Sequence, residues 1–351
     1  MITVRDAGRE VRLGGGEPFL IAEMSGNHNQ SLERALAIVD AAAEAGASAL
    51  KIQTYTADTM TIDVRRGEFM VEDPGSLWAG RSLYDLYQEA HTPWEWHAPI
   101  FARCRERGII PFSTPFDASA VAFLDRLDCP LWKIASFELT DLPLIRACAA
   151  TGRPMIMSTG MASLSEIGEA VEAARQAGCR ELVLLKCTSS YPAPPSAANL
   201  VTIPHLAATF GCLAGLSDHT DGIGCAVAAV ALGAAVVEKH FTLRRADGGV
   251  DSAFSLEPAE FASLAVECRR AAQAVGVVSY GPGPHERQSL RHRRSLYFVR
   301  DLAAGSVIGE GDVRCIRPGL GLAPRFLPAV LGRHVSRAVQ RGEAVAWDAL
   351  G

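Results

Sequence analysis

Leu213–Phe241 reads LAGLSDHTDGIGCAVAAVALGAAVVEKHF. It predicts two short strands joined by an apolar helix, each strand ending in a polar cluster that contains one histidine. Side chains alternate along a strand, so Ser217 and His219 share one face while Asp218 takes the other. Glu238 and His240 likewise share a face, with Lys239 opposite. If the two strands are parallel neighbours, both imidazoles reach the same end of one sheet. That spacing suits a divalent metal with open positions for water and substrate. A pair of hydrogen-bonded, half-buried structural histidines would look the same.

The rest of the chain repeats this unit. Strand-like runs fall at Phe19–Ser25, Ala49–Thr54, Ile109–Thr114, Leu131–Ser136, Met155–Thr159, Leu182–Ser189, Ala214–His219 and Val236–Phe241. Helical patterns include Ser31–Ala45, Trp94–Arg107, Ser163–Ala177 and Pro258–Val275. Ser163 with Glu166 forms a capping box, and Gly46, Gly108 and Gly178 supply stops. Eight strand–helix units with buried apolar strands predict a (β/α)₈ TIM barrel, of class α/β. An open doubly wound sheet is the alternative. SGNHNQS stands after the first strand, however, where a dinucleotide-binding sheet would carry its glycine fingerprint.

The barrel is expected over 1–280. The run from Tyr55 to Thr92 is too long for an ordinary loop and is expected to fold over the barrel mouth. Residues 281–294, GPGPHERQSLRHRR, read as a linker, and 295–351 as a small β-rich domain. With 48% hydrophobic residues, 21% charged and a net charge of −5, the chain gives no electrostatic case for nucleic acid or an anionic membrane. The longest uncharged run, Gly222–Val237, is shorter than the roughly 20 residues a membrane span needs. Nine cysteines without a C-x-x-C pair read as reduced thiols of a soluble, cytoplasmic protein.

Active sites of such barrels lie at the C-terminal ends of the strands. Here those ends read AEMSGNHN, KIQTYT, FSTPF, KIASFE, MSTGM, KCTSSYP, LSDHT and EKHF, far more polar than the strand bodies. Only four of the 34 basic residues are lysine, at 51, 133, 186 and 239, and all four stand in strand ends. Lys51 and Lys133 read as anion ligands, because Gln53, Ser136 and Glu138 beside them would be costly to bury without one. Lys186 is left open, and Lys239, on the outward face, reads as alternation alone.

AEMSGNHNQS, LKIQTYTADTMT, FSTPFD, WKIASFELTD, MSTGMAS, LLKCTSSYPAP, GLSDHT, EKHFTL and DGGVDSAFSLEP together resemble the sialic acid synthase family, most closely its pseudaminic acid synthase branch. RRSLYFV and IRPGLGL resemble that family's antifreeze-like (SAF-type) C-terminal domain. The resemblance implies condensation of phosphoenolpyruvate with an open-chain N-acylated amino sugar to give a 2-keto acid, with manganese or magnesium. His219 and His240 resemble the metal ligands. Glu23 matches a glutamate that acts on water as general base or as an orienting group. Lys51, Thr114, Lys133, Ser136, Ser158, Ser189 and Ser217 match positions that hold phosphoenolpyruvate. Gln53, Glu138, Tyr191, Glu238, Asp251 and Arg317 match positions around the sugar. The arginine implies a domain-swapped homodimer.

CTSSYP at 187–192, where sialic acid synthases typically have CTNIYP, and TYTADTMT at 54–61 point to the pseudaminic branch, whose sugar carries a methyl at carbon 6. N-acetylneuraminate and legionaminate synthases are the alternatives within the family. From other classes, a Schiff-base aldolase or lyase would use Lys133 or Lys186 as nucleophile. A sugar-acid binding protein would need no metal.

Overall fold

The computed structural model covers all 351 residues and divides into two compact units, Met1–Gly276 and Val277–Gly351. The first opens with a hairpin, β1 (Ile2–Asp6) and β2 (Arg9–Leu13), paired antiparallel from Ile2↔Leu13 to Asp6↔Arg9. Val4 and Leu13 are buried. Gly14, just past the hairpin, lies against the Leu213 side chain and holds φ at +81°, a conformation only glycine adopts freely. The hairpin therefore covers the N-terminal end of the barrel, opposite the polar strand ends.

Eight parallel strands follow: β3 (Phe19–Glu23), β4 (Ala49–Thr54), β5 (Ile110–Pro115), β6 (Trp132–Ile134), β7 (Met155–Ser158), β8 (Leu182–Cys187), β9 (Leu213–Asp218) and β10 (Val236–His240). They close in the order β10-β3-β4-β5-β6-β7-β8-β9. This is the expected (β/α)₈ barrel. Strand bodies such as Leu20, Ile21, Leu50, Ile110, Ile156 and Leu184 are buried on both faces, against the barrel interior or the surrounding helices. Helices Leu32–Glu44, Leu164–Gln176 and Pro258–Val275 occupy the predicted positions, and Ser163 with Glu166 forms the predicted capping box.

The segment after β4 carries two short helices, Ala57–Met60 and Leu83–Ala90. It reaches the C-terminal end of the barrel, where Trp78 Nε1 donates to the Val250 carbonyl at 2.9 Å. No helix of the chain is long and apolar enough to cross a membrane, and all nine cysteines are free thiols.

The second unit has its own small core around Leu296, Phe298, Ile308, Val313, Val335 and Val345. β11 (Ser295–Phe298) and β12 (Val313–Ile316) pair antiparallel within it. Residues Arg287–His292, in the segment expected as a linker, form a short 3₁₀ helix, and the Arg291 carbonyl accepts from Gly319 N at 2.8 Å. Gly319 is the second residue beyond Arg317, so this segment braces the loop that carries the arginine.

Candidate active site

Adjacent parallel pairing of β9 and β10, with Glu238 opposite Ser217 and Lys239 opposite Asp218, meets the condition set by the sequence. Ser217 Oγ donates to Glu238 Oε1 at 3.1 Å. The His219 and His240 rings stand with centroids 5.3 Å apart. His219 Nδ1 lies 2.9 Å from the Thr188 carbonyl. That contact places the ring proton on Nδ1 and leaves the Nε2 lone pair available. His240 is buried, and its Nδ1 has no hydrogen-bond partner. Its nearest carboxylate is Asp251 Oδ2, at 4.0 Å. Burial, reinforced by His219 and the nearby lysines, holds His240 well below its ordinary pKa, so it is a neutral imidazole with a free lone pair. For His219 burial acts in the same direction, but the Cys187 thiol and Thr188 carbonyl outweigh it and raise its pKa.

Beside the imidazoles lies a buried cluster of four charges. Lys51 Nζ is 3.2 Å from Glu23 Oε2 and 3.3 Å from Glu238 Oε1. Lys133 Nζ is 3.6 Å from the same Glu238 oxygen and donates to Ser158 Oγ at 2.7 Å. Lys51 also donates to Thr114 Oγ1 at 3.3 Å. All four charged side chains are at most 5% exposed. The strand register explains the gathering, since Glu23 pairs with both His240 and Lys51 across β10, β3 and β4.

Burial pushes the Glu23 carboxyl up to about 6, with Glu238 adding to the rise and Lys51 opposing it. Gln53 Nε2 donates to Glu23 Oε1 at 2.8 Å, while Glu23 Oε2 faces the Lys51 ammonium. For Glu238, burial raises the pKa but Lys133 and Lys51 outweigh it and hold the carboxyl below its usual range. Burial depresses Lys133.

A hydroxyl cradle adjoins the lysines. Ser136 and Ser189 Oγ are 2.8 Å apart. A Cβ on Gly160, whose φ is +47°, would stand 2.4 Å from Ser136 Cβ and 2.8 Å from Ser189 Oγ. Only glycine lets the backbone after β7 come this close.

The cavity above these groups measures about 460 Å³, within the range of small-molecule sites. Ser25, Gln53, Glu138, Ser189, Tyr191 and Asp251 are among its polar lining residues. Met60, Val71, Trp78, Leu83, Leu86 and Phe116, five of them from the segment after β4, are among its apolar lining residues. Tyr191 packs on the histidines, 4.4 Å from the His219 ring and 6.3 Å from that of His240. Burial lifts the Glu138 carboxyl to about 7, and its Oε2 is unpartnered.

Every predicted site residue except Arg317 is therefore gathered at the C-terminal end of one barrel. Arg317 is in the second unit, exposed, in a basic pocket with Arg287, Arg291 and His292. Glu238, matched by resemblance to the sugar set, is in contact with both lysines that the resemblance assigns to phosphoenolpyruvate. Lys186 stands aside, donating to the Cys187 carbonyl at 2.7 Å and to Thr188 Oγ1 at 3.2 Å. Sequence reading missed Ser25, whose Oγ donates to Asp251 Oδ2 and accepts from Gln53 Nε2. It also missed Cys187, whose Sγ lies 3.7 Å from Ser189 Oγ and 4.0 Å from His219 Nδ1. The only signal for either was a position at a polar strand end.

Comparison with known proteins gives this geometry its context. The NeuB family model matches residues 38–280 and the SAF domain model residues 293–351. The chain belongs to the NeuB family. It is 42% identical over 330 residues to the pseudaminic acid synthase of Campylobacter jejuni, spanning 93% of this chain and 95% of the relative. It is 38% identical over 332 residues to that of Helicobacter pylori, spanning 94% and 97%. The N,N'-diacetyllegionaminic acid synthase of Legionella pneumophila is 34% identical over 337 residues, or 94% of each chain. Among solved structures, an N-acetylneuraminic acid synthetase from Leptospira borgpetersenii, crystallised with citrate, superposes with a TM-score of 0.72 at 31% identity. The match covers 82% of this chain and 95% of that one.

Proposed function

We propose that the protein is a pseudaminic acid synthase. It joins phosphoenolpyruvate to 2,4-diacetamido-2,4,6-trideoxy-L-altrose and releases phosphate. The observation that carries this reading is the gathering of the His219–His240 pair and the buried two-lysine cluster at the barrel end whose cavity is lined by His240, Gln53 and several apolar side chains. Met60, Val71, Leu83 and Leu86 suit a deoxy carbon and acetyl methyls better than hydroxyls, which would be buried there without partners.

Two imidazoles, one with an unpartnered buried nitrogen, fit a divalent cation such as manganese or magnesium. No group of three or more His, Cys, Asp or Glu side chains forms a closed cage, so water and substrate would complete the coordination. When bound, the cation supplies Lewis-acid polarisation of the sugar aldehyde.

Lys51, Lys133, Ser158 and the Ser136–Ser189 cradle bind the carboxylate and phosphate of phosphoenolpyruvate through charge-assisted hydrogen bonds. With both substrates held, carbon 3 of the enol attacks the aldehyde carbon, whose oxygen takes a proton and becomes a hydroxyl. Water adds at carbon 2, and phosphate departs with its bridging oxygen, leaving the keto acid. Glu23, near pH 7 mostly ionised and with Lys51 beside Oε2, accepts the proton of that water. Gln53 fixes its other oxygen. Ser25 positions Asp251 at the sugar side of the cavity. Arg317 acts on the sugar of a partner copy in a domain-swapped homodimer, and the protein works in the cytoplasm.

The test is incubation of purified protein with phosphoenolpyruvate and, separately, the altrose derivative, its legionaminate-forming counterpart and N-acetylmannosamine. Product mass and NMR should show pseudaminic acid formed with the highest kcat/KM. Faster conversion of N-acetylmannosamine would overturn the branch assignment. Trapping of a lysine by borohydride with pyruvate would favour the aldolase class instead.

A further inference from the structure

We infer that Asp218 and Lys239, on the outer face of the barrel wall, form a clamp whose task is to hold His219 and His240 at metal-binding spacing. They are positioning residues, and the inference rests on the metal reading of the histidine pair given above. Asp218 and Lys239 are cross-strand partners on β9 and β10, and each directly precedes one of the histidines in sequence. Lys239 Nζ is 2.8 Å from Asp218 Oδ2, and both side chains are 1% exposed.

The pair also grips the backbone beyond His219. Asp218 Oδ1 accepts from Thr220 N at 2.9 Å and from Thr220 Oγ1 at 2.8 Å, while Lys239 Nζ donates to the Thr220 carbonyl. Thr220 is thus held at both its amide and its carbonyl by two side chains from two strands. His219 has the strand on one side and this clasp on the other, and its own carbonyl accepts from Ala193 N at 2.9 Å. A shift of β9 against β10 would have to break the ion pair and the clasp together.

Stability alone does not explain the pair. One step earlier on the same outward faces stand Leu216 and Val237, both buried and apolar, so hydrocarbon packs well at this layer. Replacing a buried ion pair by apolar side chains of similar size is commonly neutral or stabilising. A pair kept at such a place points to a requirement for a fixed backbone. Residues that orient metal ligands from behind typically change metal affinity by about 10- to 100-fold when removed.

The experiment uses the full chain and Mn(II) alone, with binding read from the electron paramagnetic resonance signal of the free ion. Single substitutions would strand a buried charge, so the informative variant is the double Asp218→Val with Lys239→Met, which keeps the layer apolar. Its thermal midpoint should stay close to that of the wild type, while its dissociation constant for Mn(II) rises about 10- to 100-fold. The double Asp218→Asn with Lys239→Met retains an acceptor for Thr220 and should recover part of the affinity. A folded Val/Met variant with wild-type Mn(II) affinity would overturn the inference. So would loss of cooperative folding in that variant, since the pair would then be a requirement of the barrel itself. If the wild type holds no Mn(II) at a site that His219→Ala removes, the metal reading fails and takes the clamp with it; if it does hold one, a null result in the double variant counts against the clamp alone.

Discussion

Substituting Glu238→Gln isolates one charge at the centre of the site while keeping the side chain's shape. In the protein, Glu238 Oε1 is shared by Lys51 at 3.3 Å, Lys133 at 3.6 Å and Ser217 at 3.1 Å. Glutamine can keep the serine contact but cannot balance the lysines. Breaking a buried ion pair costs about 3–5 kcal/mol. Lys51 retains Glu23 at 3.2 Å, so the loss should lie near the lower end, about 3 kcal/mol. For a domain of this size that corresponds to a fall of roughly 6–12 °C in Tm. Phosphoenolpyruvate should reverse the effect more strongly than in the wild type. The cluster is then positive before the anion arrives, and one additional charge-assisted contact is worth about 1.5–3 kcal/mol, roughly 10- to 100-fold in affinity. Differential scanning fluorimetry with a phosphoenolpyruvate titration reads both quantities. An unchanged Tm without ligand, or a smaller phosphoenolpyruvate-induced shift than in the wild type, would return Glu238 to the sugar set that the family resemblance implies.

Burial lifts Glu138 from 4.5 to about 7, so between those values the folded chain holds a proton that the unfolded chain releases. Stability should therefore fall as pH rises through this window, and Glu138→Gln should flatten that slope and raise Tm at pH 8; superimposable Tm–pH curves would refute it. Phosphoenolpyruvate carrying ¹⁸O at the bridging position should deliver the label to phosphate. Unlabelled phosphate would mean P–O cleavage and would remove the task given to Glu23. Arg317→Ala and Glu23→Ala should each be inactive alone yet regain activity when their subunits exchange, because one barrel then has an intact Glu23 and a partner's arginine. Confirmed exchange without activity would rule out the swapped arrangement.

The barrel was legible because each strand announces itself twice, by an apolar body and by an abrupt polar end. Alternation with a period of two also placed Ser217, His219, Glu238 and His240 on one face, and the pairing of β9 with β10 bears this out. The same rule sent Lys239 outward, which read as unimportant. In a (β/α)₈ barrel, however, outward means towards the helical layer and not towards water, so a charge there must find a partner. That partner, Asp218, is fixed by register, and register is invisible in a single sequence. The N-terminal hairpin escaped for a related reason. Ile2, Val4 and Asp6 are buried, but a carboxylate at the third inward position breaks the apolar alternation, and Asp6 is paired there by Arg105 of the helix His97–Glu106 at 2.8 Å. Ser25 and Asp251 are 226 residues apart, and only the closure of the barrel brings them together.

The charge balance of the cluster limits how the anion can be held. Phosphoenolpyruvate brings roughly three negative charges near neutral pH, one from its carboxylate and close to two from its phosphate. Lys51 and Lys133 suggested from sequence that two positive charges await it. In the structure, Glu23 and Glu238 already cancel both, so the lysines alone do not neutralise the ligand. A divalent cation on the histidine pair would remove two of the three charges. The third would be met by the hydroxyl donors beside the lysines, Ser158, Ser136 and Ser189. On this account the two carboxylates among the anion ligands keep an empty, buried pair of lysines stable, and they make tight binding of the anion conditional on the cation.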